Sequence, residues 1–154
     1  MRLLAIDPGP TTSAYAIWDG ERMLDAGKIE NEAMLLYPQI VTVDLIVCEE
    51  IKCYGMPVGK EVFDTVFWTG RLYEHFSGFI HFAMMPRLDV KLHLCGQARA
   101  KDSNIICALK DRFGDKPKKG CPSPTYGDHK LKADEWQAFA LAVTYYDLKG
   151  KTLV

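Results

Sequence analysis

With 154 residues, 48% of them hydrophobic and 25% charged, the chain has the composition of an ordinary soluble globular protein and room for one domain, 1–154, with its own core. No apolar run approaches the ~20 residues that span a membrane, and no basic-then-apolar leader opens the chain, so a cytoplasmic protein without a membrane partner is expected. The net charge of −1 hides a split: residues 1–77 hold six Lys and Arg against twelve Asp and Glu, and residues 78–154 hold thirteen against eight. An acidic half beside a basic half suits a metal-dependent enzyme acting on a polyanion. The five cysteines form no C-x-x-C pair, which argues against a zinc ribbon or a dithiol redox motif and for reduced thiols; Cys48, Cys95 and Cys107 lie in apolar runs and are expected in the core.

In chain order, residues 2–7 read as a strand that runs into Asp7 and a Pro-Gly-Pro turn. Residues 13–18 pair with it as a hairpin, Asp19-Gly20 makes the next turn, and a third strand covers about 22–29. Residues 31–40 suit a short helix. VDLIVCEEI, 43–51, is a nearly continuous apolar run, as in a strand buried on both faces. A Gly/Pro-rich loop at 52–60 leads into a helix over about 58–77, with Val62, Val66, Thr69 and Leu72-Tyr73 on one side. Strands are expected at 78–85 and, from the alternation in DVKLHLC, at 89–95. A helix follows over 98–113, closed by Gly114. The loop 114–130 is rich in Gly, Pro and Lys, and a final helix covers about 133–148. The order predicts an α/β fold with a mixed sheet.

Three acids stand out by position. Asp7 ends the first strand, Glu49 ends the buried strand, and Asp134 opens the last helix. Each alone suits a bland role, a turn former, a strand-end acid or a helix-start charge. Together they can converge at one sheet edge, where they would repel one another unless a cation intervened. Hard oxygen ligands favour Mg²⁺ or Mn²⁺. Two such ions about 4 Å apart can activate a water and stabilise the leaving oxygen of a phosphodiester.

These residues also carry a resemblance. LAIDPG (4–9), IVCEEI (46–51), VKLHLCGQARAKDSNI (90–105) and DHKLKADEWQAFALA (128–142) resemble, in order and separation, the motifs of RuvC-type Holliday junction resolvases of the ribonuclease H-like superfamily, in the compact form that many phages carry. The resemblance implies a five-stranded mixed sheet flanked by helices, Mg²⁺-dependent nicking of four-way or other branched DNA, and a homodimer that makes two symmetric cuts. It implies Asp7, Glu49 and Asp134 as catalytic metal ligands. The family's last helix carries two metal positions three residues apart, and here they fall on Asp134 and Gln137. Gln137 is neutral, so either three carboxylates suffice or Glu135 or His129 contributes. Glu50, adjacent to Glu49, points to the other face of the strand or helps at the edge.

Positive charge for DNA is expected from Lys91, Arg99, Lys101, Lys116, Lys118, Lys119, Lys130 and Lys132, with Lys60 at the end of the 52–60 loop. Tyr54 at the tip of that loop is placed to stack on an unpaired base. Phe67, Trp68 and Tyr73 suit the core or a dimer contact, and Trp136 suits packing. Three rival readings remain at this stage. The opening hairpin also resembles the phosphate-binding turn of sugar kinases and actin-like ATPases, but those need a second such domain, so no nucleotide cofactor is expected. A branched-DNA-binding protein without catalysis would account for Gln137. A nuclease for flaps or RNA–DNA hybrids would use the same site.

Overall fold

The computed structural model describes residues 1–37 and 42–150. The order is β1 (Leu3–Asp7), β2 (Thr12–Trp18), β3 (Met23–Glu30), α1 (Asn31–Leu35), β4 (Leu45–Glu50), α2 (Lys60–Phe76), β5 (His81–Pro86), α3 (Arg87–Cys95), α4 (Asp102–Phe113) and α5 (Ala133–Lys149). The five strands form one sheet in the order β3-β2-β1-β4-β5. β1, β2 and β3 pair antiparallel as a meander, while β4 and β5 join β1 in parallel. The expected five-stranded mixed sheet flanked by helices is therefore present. The short helix expected over 31–40 occupies Asn31–Leu35, and the last part of that range lies outside the described residues.

Strand alternation sorts the core into two layers. Leu3, Ala5, Leu45 and Val47 face α5, with Val90 of α3 and Ile105 and Leu109 of α4 in the same cluster. Leu4, Ile6, Ile46 and Cys48 face the other way, against Leu72 and Phe76 of α2. α5 is buried at every position from Trp136 to Tyr145. A helix that is apolar nearly all round needs cover on all sides; the sheet supplies one side, and α3 and α4 supply another.

Three expectations are corrected. DVKLHLC (89–95) is the body of α3 and not a strand. Val90, Leu92 and Leu94 fit a period of two, but Val90 and Leu94 are also four apart and share one helix face, leaving Leu92 47% exposed. Pro86 caps the helix and Gly96, at φ 69°, ends it in the left-handed conformation that glycine adopts without strain. On α2 the buried stripe is Thr65, Thr69, Leu72 and Phe76, so Val66 and Tyr73 face outward. Cys107, expected in the core, is exposed on α4, whereas Cys48 is buried and Cys95 half-buried.

Candidate active site

The parity that builds the core also builds the site. Asp7 continues the Leu3–Ala5 face of β1, and Glu49 continues the Leu45–Val47 face of β4, so both carboxylates point to the α5 side. β1 and β4 pair in parallel through Ile6 and Cys48, and Asp7 and Glu49 are the next residues along each. Glu50 has the opposite parity and pairs with Lys52 at 3.3 Å. The first turn of α5 lies over this sheet end and brings Asp134 and, one turn on, Gln137. Burial pushes the Asp7 carboxyl up to about 7, and Glu49 and Asp134 add to the rise through their negative charge. Glu49 is raised as well, by burial first, while Arg87 opposes the shift. Carboxyls held up by burial and by one another's charge are stabilised in their ionised form by a bound cation, which fits a divalent ion.

The turn after Asp7 is held from behind. Ser13 and Asn31 are fully buried, and the Ser13 hydroxyl donates to Asn31 Oδ1 at 2.6 Å. Asn31 Nδ2 donates to the Gly9 carbonyl at 2.9 Å, and the Gly9 N–H donates to Ser13 Oγ at 3.3 Å. A Cβ on Gly9 would sit 2.3 Å from the Thr12 carbonyl oxygen, so only glycine allows this closure.

Two basic residues that sequence reasoning did not single out enter the cluster. Lys28 of β3 lies opposite Ala14, which lies opposite Asp7, so the three form a row on one sheet face. Its Nζ is 2.5 Å from Asp134 Oδ2. Arg87, the first residue of α3, donates Nη1 to Glu49 Oε2 at 3.2 Å and Nη2 to Asp102 Oδ1 at 2.5 Å and Gln137 Oε1 at 2.6 Å. As the side chains stand, with Glu49 and Asp134 on these cations, no three Asp, Glu, His or Cys among the described residues form a ready metal-binding group. Parallel pairing sets Arg87 there: Glu50 lies opposite Pro86, so the next residue, Arg87, stands beside the Glu49 strand end.

The auxiliary candidates separate. Gln137 is 5% exposed and bound to Arg87. Glu135 caps α5 by accepting the Lys132 N–H at 2.8 Å. His129 closes a loop turn through its N–H to the Tyr126 carbonyl and lines neither groove of the site. One groove, about 370 Å³, runs along Asp7, the Pro8–Thr12 turn, Lys28 and Asp134. The other, about 360 Å³, is lined by Glu49, Tyr54, Arg87 and Lys91 among others. Tyr54 is 63% exposed and holds φ 49°, a strained value for a residue with a side chain. Lys60, Arg99, Lys101, Lys116, Lys118, Lys119, Lys130 and Lys132 are all exposed, and Lys60 is paired with Asp64 at 2.5 Å. The 114–132 loop is folded by bridges between Lys118 and Cys121 and between Ser123 and Gly127. Tyr126 anchors it, fully buried against Trp136 and Phe139 with its hydroxyl donating to the Gly114 carbonyl at 3.0 Å.

No family model matches the chain, and no curated protein sequence is significantly similar to it. Solved structures are similar. Thermus thermophilus RuvC aligns with a TM-score of 0.70 at 17% identity, over 97% of each chain. The same protein in complex with a Holliday junction substrate aligns at 0.71 and 16% identity, over 97% of this chain and 96% of that one. The yeast mitochondrial Holliday junction resolvase Ydc2 aligns at 0.65 and 8% identity, over 99% of this chain and 86% of that one. The chain therefore has the ribonuclease H-like fold of RuvC over nearly its whole described length.

Proposed function

We propose that this protein is a divalent-metal-dependent endonuclease that nicks four-way or other branched DNA. The observation that supports the reading is that Asp7 and Glu49, on adjacent central strands, and Asp134, at the start of α5, stand at one sheet end of a resolvase-like fold, near enough for Glu49 and Asp134 to raise the Asp7 carboxyl. These three residues would hold Mg²⁺ or Mn²⁺. Such an ion, when bound, supplies activation of a water and neutralisation of charge on the leaving 3′ oxygen. The rigid strand ends fix Asp7 and Glu49 more tightly than loops would, and the Ser13–Asn31–Gly9 network holds the Pro8–Thr12 turn in place beside Asp7. Without a cation the Asp7 carboxyl retains its proton to about neutral pH, so binding an ion there releases a proton.

Branched DNA is the proposed partner. The exposed lysines of 116–132 and Lys91, beside the site, would take phosphates, and Tyr54 would stack at the branch. A homodimer is proposed on the outward face of α2, where Phe63, Val66, Phe67 and Tyr73 are each 47–65% exposed. Such a patch on a small domain marks an interaction surface. The replacement of a carboxylate position by Gln137 favours a second reading, a junction-binding protein without catalysis.

The test is incubation with a labelled four-way junction, a matched duplex and a flap, with Mg²⁺ and with EDTA. Paired symmetric nicks on the junction, abolished by EDTA, are expected. Tight junction binding without cleavage in Mg²⁺ or Mn²⁺ would replace this reading with the second.

A further inference from the structure

A basic residue in the first turn of a helix opposes the helix dipole. Arg87 takes that position in α3. Its place is set by what it faces: one guanidinium reaches Glu49, Asp102 and Gln137 together. Gln137 is only 5% exposed, and its amide is oriented by this contact. Oε1 accepts from Arg87, while Nε2 is buried with no hydrogen-bond partner among the described residues. Leaving a buried donor unpaired costs about 1–3 kcal/mol. Turning the amide over would set donor against donor at Arg87 and lose the one side-chain bond it makes among the described residues. The amide is an acceptor fitted to a cation that belongs to the chain.

The contacts agree with this. The positive charge that a second ion would bring to Glu49 and to the Gln137 position is already supplied, since the Arg87 guanidinium is hydrogen-bonded to both and is held on its other side by Asp102.

We propose that Arg87 is the built-in cation of this site: its guanidinium, seated between Glu49, Asp102 and Gln137, takes the place of a second metal ion, so that the protein binds one divalent ion per chain. This rests on the metal-dependent reading above and refines the two-ion expectation from the sequence. Gln137 acts through Arg87 and is a positioning residue; its neutrality is the counterpart of the guanidinium and not a sign of a decayed site.

The test counts ions instead of cuts. Metal-free protein is titrated with Mn²⁺, and the free ion is read by electron paramagnetic resonance. One bound ion per chain is expected for the wild type and for Arg87→Lys, which keeps the charge. Two are expected for Arg87→Met, where the seat is vacated. For Gln137→Asp one ion is expected, since the new carboxylate pairs with Arg87. Two ions on the wild type, none on it, two on Gln137→Asp, or a count that stays at one in folded Arg87→Met would each overturn the proposal. Where Arg87→Met does not fold, Gln137→Asp decides alone. A wild type that binds one ion yet leaves every branched DNA intact would defeat the nuclease reading and leave this one standing. Cleavage with two bound ions would do the reverse.

Discussion

Lys28 on β3 and Asp134 on the first turn of α5, 106 residues apart, meet with Nζ 2.5 Å from Oδ2. The contact raises the lysine pKa through that hydrogen bond. It also means that an ion on Asp134 competes with Lys28. Both side chains are about half exposed, 47% and 52%, so solvent screens the pair and its worth is about 0.2–1 kcal/mol. Lys28→Met should therefore tighten Mn²⁺ binding by a factor of roughly 1.5–5, with the number of ions unchanged. Calorimetric titration measures both. Equal or weaker affinity in the variant would show that Lys28 helps to hold the ion or plays no part.

Asp7 links chemistry to stability. Asp7→Asn and Glu49→Gln should each lower cleavage by at least about 100-fold, because loss of residues that merely support a metal ligand already costs 10–100-fold. The stability effect of Asp7→Asn has the opposite sign. The folded carboxyl titrates near 7 against 3.8 for a free one. The folded state thus holds its proton while the unfolded chain has released it, and stability falls as pH rises through that window. The slope is at most about 1.4 kcal/mol per pH unit for one proton, and above about pH 7 the penalty is constant. In EDTA, Asp7→Asn should gain stability over the wild type progressively between about pH 4 and 7, and saturating Mg²⁺ should remove the gain. Thermal unfolding at several pH values reads this out, and a difference independent of pH would refute it.

The strand ends were legible in the sequence because burial and parity fix them together. LLAID and LIVCEE carry a polar residue where an apolar run stops, and period two sends Asp7 and Glu49 to one face and Glu50 to the other. α3 was not legible, since nine residues with Val90, Leu92 and Leu94 satisfy both periods and only the packing of Val90 beneath α5 and α4 decides. The outward turn of Val66 and Tyr73 was hidden for a similar reason: α2 is apolar on two faces, and a threonine pair, Thr65 and Thr69, takes the inner one by donating hydroxyls to the Glu61 and Thr65 carbonyls. Lys28 and Arg87 escaped notice because a cation is placed by partners far along the chain. Lys28 needs the register of three strands, and Arg87 needs the order of β4 and β5.

The outer face of α2 should make the dimer. Phe63, Val66, Phe67 and Tyr73 follow helical spacing, and Gly70 between them leaves open space where a side chain would stand. Leu35, Phe67, Gly70, Arg71, Glu74 and His75 line a groove of about 420 Å³ there. A stable pair needs about 800 Å² from each partner, which a 17-residue helix and its flanks can supply. Phe67→Glu should give a monomer by sedimentation. Its own stability should change by no more than about 0.5 kcal/mol, since Phe67 is 63% exposed. A wild type that sediments as a monomer at micromolar concentration would end this assignment.

The basic loop should set the salt dependence of DNA binding. Lys118 and Lys119 sit on a short bridged turn, with the Lys118 and Cys121 backbones paired, and Tyr126 pins the loop to the core. Their side chains are exposed and the backbone under them is fixed, so alanine substitutions remove charge without unfolding the loop. Each phosphate contact contributes about 0.9 to the slope of log K against log salt on duplex DNA. Lys118→Ala with Lys119→Ala should flatten the slope for a four-way junction by up to about 1.8 and weaken binding most at low salt. Lys60→Ala should do less, because Asp64 already occupies that ammonium. Fluorescence anisotropy across a salt series measures both variants against the wild type. A slope unchanged in the double variant would move the phosphate path off this loop and onto the Lys91 and Lys101 side of the site.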